Sequence, residues 1–133
     1  LCVIDLDTVM PSYVFSDYGD FLRSAANTGA EDDRNLDNVS FNMDIFRAFT
    51  RGYLESARSF LLPVEVENLP YAAALFPYMQ CVRFLADYLN GDTYYKIAYP
   101  EHNLVRTAAQ FKLWQSVEEH QDEMRAFINE CMA

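Results

Sequence analysis

Apolar residues return at helical spacing along most of this chain, and this pattern predicts a mainly α-helical protein. Within residues 42–60 they recur every three or four positions, as they do on the buried face of a helix. The same spacing predicts helices over residues 17–27, 102–119 and 121–132. Ser16 is expected to cap the first of them. Residues 30–40 are polar and crowd like charges together, which predicts a solvated connection.

The longest apolar stretch, residues 64–90, has no polar side and predicts a helix in the middle of the core. Pro77 lies in its interior, where a proline removes a backbone hydrogen bond, so we expect it to bend or divide the helix. Asn90-Gly91-Asp92 predicts where the helix ends. The side chains expected to face inward from the last two helices are Leu104, Ala108, Phe111, Leu113 or Trp114, Val117, Met124, Phe127, Ile128 and Cys131.

The N-terminus departs from the helical pattern. Residues 1–6 begin with four apolar residues and predict a short buried β-strand. Asp5 and Asp7 come at the end of this run, where a carboxylate needs a cation, a capping role or open solvent. Because side chains two residues apart along a strand point the same way, both could bind one Mg²⁺ ion. The alternative is that the strand ends in a polar turn, which Asp7 caps.

Composition narrows the class of protein. With 133 residues, 51% of them hydrophobic, the chain can form one core, so residues 1–133 are expected to make a single helical unit. The net charge of -10 argues against nucleic acid and against an anionic membrane as partners. Three scattered cysteines without a Cys-x-x-Cys pair predict a reduced, cytoplasmic protein without structural zinc. No apolar run reaches about 18 residues, so a membrane span is not expected.

Two blocks of sequence resemble the aminoglycoside phosphotransferase and choline kinase group, which are small-molecule kinases with a protein-kinase-like fold. The first block is the strand with Ile-Asp-x-Asp, a turn containing Pro11, and Asp-Tyr-Gly-Asp-x-x-Arg over residues 17–23. The second, Arg-Phe-Leu-x-Asp-Tyr-Leu-x-Gly-Asp-x-Tyr-Tyr-Lys over residues 83–96, is similar to the N-acetylhexosamine 1-kinases. The resemblance extends over nearly the whole chain and is most specific in these two blocks.

The resemblance implies roles for residues of both blocks. Asp5 would bind the Mg²⁺ that bridges to the nucleotide phosphates. Arg83 and Tyr94 would contact sugar hydroxyls, with Asp87 orienting Arg83. The alternative for Arg83 and Asp87 is a purely structural pair, because a guanidinium within an apolar helix needs acceptors.

Residues of the first block are expected to support the site. Asp17 matches an aspartate that stabilises the catalytic loop of these kinases through hydrogen bonds. Asp20 and Arg23 are three residues apart on a helix, so a local ion pair is expected, and a role in positioning the substrate or a loop is the alternative. His102 and His120 are isolated in the sequence and are expected at the surface or at helix caps.

As a whole, the resemblance implies an ATP- and Mg²⁺-dependent kinase that phosphorylates the anomeric hydroxyl of an N-acetylhexosamine, with the sugar and the nucleotide as partners. In such kinases a catalytic loop and a nucleotide-binding lobe precede the metal aspartate. Here no His-x-Asp precedes Asp5, and no glycines form Gly-x-Gly.

We therefore expect the helical C-terminal part of the C-lobe of a protein-kinase-like fold, inactive by itself. The unpaired edge of the strand over residues 1–6 could pair with a second copy of the chain. The alternative to a kinase is an all-α binding or interaction module without catalytic activity.

Overall fold

The computed structural model describes residues 2, 4, 6 and 9–133, and this part of the chain is mainly helical, as predicted. Its α-helices are α1 (Phe15–Ala25), α2 (Met43–Ala57), α3 (Pro63–Glu67), α4 (Leu69–Leu89), α5 (His102–Glu119) and α6 (Gln121–Met132). A 3₁₀ turn, Leu36–Asn38, lies in the predicted polar connection. The predicted strand rests on residues 1, 3 and 5, which lie outside the described residues.

Helix α4 lies at the centre of the fold, with its most extensive contacts to α5 and α1, while α2 packs on α6. The core between these helices is filled mainly by large side chains. The largest of those that are fully buried are Tyr18, Phe46, Phe84, Leu22, Leu54, Leu69, Leu113 and Met124. Among the described helices, none is both long and apolar enough to cross a membrane.

Pro77 was expected to bend or divide the helix, and it does not divide α4. The helix runs without a break from Leu69 to Leu89, and Pro77 is buried within it. The break falls instead at Asn68, whose backbone (φ -98°, ψ 7°) leaves the helical region between α3 and α4. A proline forfeits one hydrogen bond, and packing against α1 and α5 holds the helix together on either side of it.

One side of α4 is open to solvent, contrary to the expected burial all round. The apolar residues exposed along this side are Tyr71, Tyr78, Met79, Val82, Leu85 and Leu89. Apolar composition alone therefore did not determine which sides of this helix are covered.

Helices α1 and α4 approach closely at Gly19. A Cβ atom added to this glycine would lie 2.4 Å from the Phe76 ring and 2.5 Å from the Ala72 carbonyl oxygen. No side chain fits there, so glycine is what allows the two helices to pack at this distance.

Helix α5 buries only part of the face that was predicted. Leu104 and Phe111, which were expected inside, are 41% and 45% exposed. Asn103 and Gln110 are buried instead, at 0% and 1% exposure. Leu113 and Val117 are buried as expected. The prediction was wrong at the other positions because it assigned every polar residue of this helix to the surface.

The ends of α5 and α6 agree with the predictions, whereas α2 ends at Ala57, three residues before the predicted end, and α1 differs at both ends. This helix begins at Phe15 after Val14, so Ser16 lies inside it and is not the cap. Gly91 adopts a left-handed backbone (φ 84°) directly after Asn90 and ends α4 as predicted. His120, as predicted, lies at a helix end, between α5 and α6.

Candidate functional site

A surface cavity of about 330 Å³ opens where α4 ends and the following segment turns back along it. Its lining residues are Arg83, Ala86, Asp87, Asn90, Thr93, Tyr94 and Tyr95. All three residues predicted to contact or organise a sugar, Arg83, Asp87 and Tyr94, line this cavity. Helix α4 supplies the first two, and the irregular segment that follows it supplies the third.

Asp87 organises the segment after α4. Its carboxylate accepts hydrogen bonds from the backbone N–H groups of Thr93 (3.0 Å), Tyr94 (2.8 Å) and Tyr95 (2.9 Å). Asn103 Nδ2 donates a fourth bond at 2.9 Å. The Tyr95 N–H is the main reason why the pKa of Asp87 lies below its usual range. Partial desolvation opposes this effect, and the Tyr94, Thr93 and Asn103 donors add to it.

Arg83 does not pair with Asp87, so the expected local ion pair between them is wrong. The Asp87 oxygens are occupied by the four donors just described, and no carboxylate of the described residues lies within 4 Å of the guanidinium. Within the described part of the chain, the hydrogen bonds of Arg83 are both long, at 3.5 Å, and go to Gln80 Oε1 and to the Tyr94 hydroxyl. Its guanidinium therefore borders the cavity with most of its donors uncommitted.

Two tyrosines form the aromatic wall of the cavity. The guanidinium carbon of Arg83 lies 5.7 Å from the Tyr94 ring centre and 5.5 Å from that of Tyr95, within the range of cation–π attraction. Tyr95 is anchored, because its hydroxyl accepts a bond from Gln80 Nε2 at 3.1 Å and its ring packs on Phe84. Tyr94 is 74% exposed and leaves its ring and hydroxyl open to a ligand. Sequence reasoning missed Tyr95, although it follows Tyr94 directly.

Behind the cavity lies a buried polar cluster that the sequence did not reveal. Asn103 Nδ2 also donates to Asp92 Oδ1 at 2.8 Å, and Asn103 Oδ1 accepts from Arg106 Nη1 at 3.1 Å. An asparagine near the start of a helix is usually a capping residue, so nothing in the sequence distinguished this one.

The Asp20–Arg23 ion pair forms as predicted, with Arg23 Nε 2.9 Å from Asp20 Oδ1. Arg23 also pairs with Glu31 at 2.9 Å, and Glu31 in turn lies 4.0 Å from Arg106 Nε. Through Arg106 the first sequence block therefore connects to the polar cluster behind the cavity.

Asp17, by contrast, is exposed on α1 and makes no hydrogen bond to the described residues. It acts on its surroundings through charge. The pKa of Tyr53 is raised mainly by burial and further by the negative charge of Asp17.

His102 is the first residue of α5 and is buried, so of the two expected positions, the surface or a helix end, the surface position is wrong. Its Nδ1 accepts a hydrogen bond from the Ala98 N–H at 3.1 Å, which leaves the proton on Nε2 to donate to Asp32 at 2.9 Å. The Tyr99 ring stacks on the imidazole. Asp87 and His102 therefore fix the two ends of the segment that carries Tyr94.

The predicted Mg²⁺ ligands Asp5 and Asp7 lie outside the described residues. In the part of the chain that the structure describes, no three His, Cys, Asp or Glu side chains are grouped so that they could hold a metal ion. The described residues by themselves therefore offer no ligand set for Mg²⁺.

Chemically, the cavity combines an uncommitted guanidinium, an exposed phenol and an aromatic face, with Asn90 at its rim. Such groups suit a small ligand that has both hydroxyl groups and an apolar face. The sequence matches no model of a known protein family, so the chemistry of the site is inferred from its own geometry.

Proposed function

We propose that this chain is the sugar-binding, C-terminal part of the C-lobe of a small-molecule kinase that phosphorylates the anomeric hydroxyl of an N-acetylhexosamine. The observation that carries the proposal is the cavity at the end of α4. There Arg83 and Tyr94 present uncommitted donors to a volume of about 330 Å³. That volume is near the lower end of the range for small-molecule sites, which begins at about 300 Å³.

The lining of the cavity is compatible with a carbohydrate ligand. A sugar ring has an apolar face that can stack on Tyr94, and its hydroxyls can accept from the Arg83 guanidinium and exchange hydrogen bonds with the phenol. Asp87 does not contact the ligand in this proposal. Its role is to hold residues 93–95, so that Tyr94 lies beside Arg83 at the cavity.

Catalysis in such a kinase comes mainly from positioning and from charge stabilisation. This chain's contribution is to fix the sugar through Arg83 and Tyr94. The base belongs to a catalytic loop that the resemblance implies and the described residues do not contain. Bound Mg²⁺ would supply charge neutralisation at the nucleotide phosphates, with Asp5 and Asp7 as its proposed ligands.

Sugar binding is tested by titrating the chain with N-acetylglucosamine and N-acetylgalactosamine while observing its backbone amides by NMR. Saturable shifts at Tyr94 and Tyr95 are expected. Tyr94→Phe should weaken binding by about 0.5–1.5 kcal/mol, the value of one hydrogen bond. Tyr13→Phe is the matched control, because Tyr13 is similarly exposed (76%) and lies outside the cavity.

The kinase half of the proposal is tested separately, in an intact protein that carries this chain together with a catalytic loop. Asp5→Asn keeps the shape of the side chain and removes the charge that holds the metal, so phosphoryl transfer should collapse while sugar binding persists. Sugar binding without any phosphoryl transfer by the intact protein would favour the all-α binding module. Absence of saturable sugar binding would refute the proposed site itself.

A further inference from the structure

Asn103 is fully buried in the first turn of α5, and every hydrogen-bonding atom of its side-chain amide is engaged. Its Nδ2 donates to two carboxylates, Asp87 at 2.9 Å and Asp92 at 2.8 Å. Its Oδ1 accepts from Arg106 at 3.1 Å. Two carboxylates that meet at one buried point repel each other unless a donor lies between them, and Asn103 is that donor.

The bond to Asp92 fixes the turn that leads into the cavity wall. Gly91 and Asp92 both adopt left-handed backbones (φ 84° and 57°), and this conformation is costly for Asp92, which has a Cβ. Holding Asp92 in it directs the chain back, so that the N–H groups of residues 93–95 reach the Asp87 carboxylate. Asn103 thus contacts both carboxylates on which the course of this segment depends.

Arg106 supports Asn103 from the other side. Its Nη1 donates to Asn103 Oδ1 and, at 3.3 Å, to the carbonyl of Lys96, which follows the cavity segment. Its guanidinium carbon lies 5.3 Å from the ring centre of Phe84. The Asn103 amide is therefore held in one orientation, with its two N–H bonds directed at Asp87 and Asp92.

We propose that Asn103 is the positioning residue of the cavity, which fixes Tyr94 beside Arg83 by donating to Asp87 and Asp92 together. It does not touch the ligand and acts through the segment 93–95. The expected effect of Asn103 on sugar affinity rests on the proposed sugar site, whereas its effect on the segment can be measured without any sugar.

The sharpest test is Asn103→Asp. This change keeps the size of the side chain but replaces the double donor by a third carboxylate beside Asp87 and Asp92. Asn42→Asp is the matched control, since it adds the same charge at the N-cap of α2, where Asp and Asn serve equally well. Three readouts are needed for each variant: the amide-proton shifts of Tyr94 and Tyr95, their hydrogen exchange rates, and the dissociation constant for N-acetylglucosamine.

Asn103→Asp should move both amide shifts, accelerate exchange at Tyr94 and Tyr95 and weaken sugar binding, the last two by about tenfold or more, because buried hydrogen bonds are lost. The control should change the rates and the affinity by less than about twofold. Unchanged exchange in a folded Asn103→Asp chain would overturn the inference, as would unchanged sugar affinity despite faster exchange.

Two outcomes need a further criterion. If Asn103→Asp does not fold, Arg106→Gln replaces it and should accelerate exchange at the same amides by about threefold, since it removes the bond that orients the Asn103 amide. No acceleration would overturn the inference.

If the unmodified chain binds no sugar, the proposed function fails. In that case Tyr94 has no ligand to position, and the inference about affinity fails with it, while the exchange rates still show whether Asn103 orders the segment.

Discussion

At the scale of single residues, Arg83 is expected to contribute to ligand binding and little to the stability of the fold. A cationic side chain that stabilises a fold usually does so through an ion pair, and its removal leaves the charge of the buried partner unpaired. Arg83 has no carboxylate partner among the described residues, and its two hydrogen bonds are at the long limit of 3.5 Å. The fold therefore depends little on its charge, and a ligand in the cavity would depend on it strongly.

Replacing Arg83 by Met should accordingly leave the free energy of unfolding within about 0.5 kcal/mol of its original value. Sugar affinity should fall about tenfold or more, because hydrogen bonds to a charged group are worth about 1.5–3 kcal/mol. Urea denaturation and sugar titration measure the two effects. Arg125→Met, a change of the same charge on the exposed side of α6, is the control and should alter neither quantity. A large loss of stability with Arg83→Met would show that Arg83 supports the fold.

At the scale of elements, the contact between α1 and α4 depends on Gly19, whereas Gly52 in α2 has open space around it. Gly19→Ala should destabilise the chain by about 1–3 kcal/mol, because the added methyl meets the Ala72 carbonyl, which cannot move without moving α4. Gly52→Ala should instead stabilise it by about 0.5–1 kcal/mol through the better helix propensity of alanine. Thermal unfolding of the two variants gives the comparison. Equal effects would show that α1 and α4 do not pack as described.

The sequence predicted the positions of the helices better than it predicted which of their faces are buried. Spacing alone located α5 and α6 correctly, because apolar residues at every third or fourth position line up on one face only when the chain is helical. It failed for the buried face of α5, where Asn103 lies inside with its amide bonded to Asp87 and Asp92, and where Gln110 is also buried. Nor did the sequence show that Pro77 would leave α4 undivided, since the cost of one lost hydrogen bond is local and the packing that offsets it comes from other helices.

At the scale of the whole molecule, the candidate site was predictable only in part. Arg83, Asp87 and Tyr94 came from a motif within one stretch of sequence, and they do line one cavity. Their mutual arrangement was not predictable, because Asp87 bonds to backbone N–H groups rather than to Arg83. Asn103 and His102 reach the same segment from α5, and long-range hydrogen bonds of this kind leave no periodic signal in a sequence.

Acid should release the segment that carries Tyr94. The folded pKa of Asp87 lies below the usual value of 3.8, mainly because of the Tyr95 N–H, so the ionised carboxylate stabilises the fold. That contribution is fully present above pH 3.8 and is lost as the pH falls from there through the folded pKa. Hydrogen exchange at Tyr94 and Tyr95, corrected for its intrinsic pH dependence, should therefore accelerate in this window. Asp87→Asn should abolish the acceleration, and constant protection down to full protonation would contradict the assignment.

The exposed apolar side of α4, from Tyr71 to Leu89, has a consequence for the colloidal behaviour of the chain. Near neutral pH the net charge of -10 keeps copies apart by mutual repulsion, even though each presents this apolar strip to solvent. The isoelectric point is near pH 4.4, so an acid titration removes the repulsion before it reaches the pKa of Asp87. Turbidity should therefore rise with protein concentration around that pH while residues 93–95 are still in place. In acid the solubility of the chain is expected to fail before its structure does.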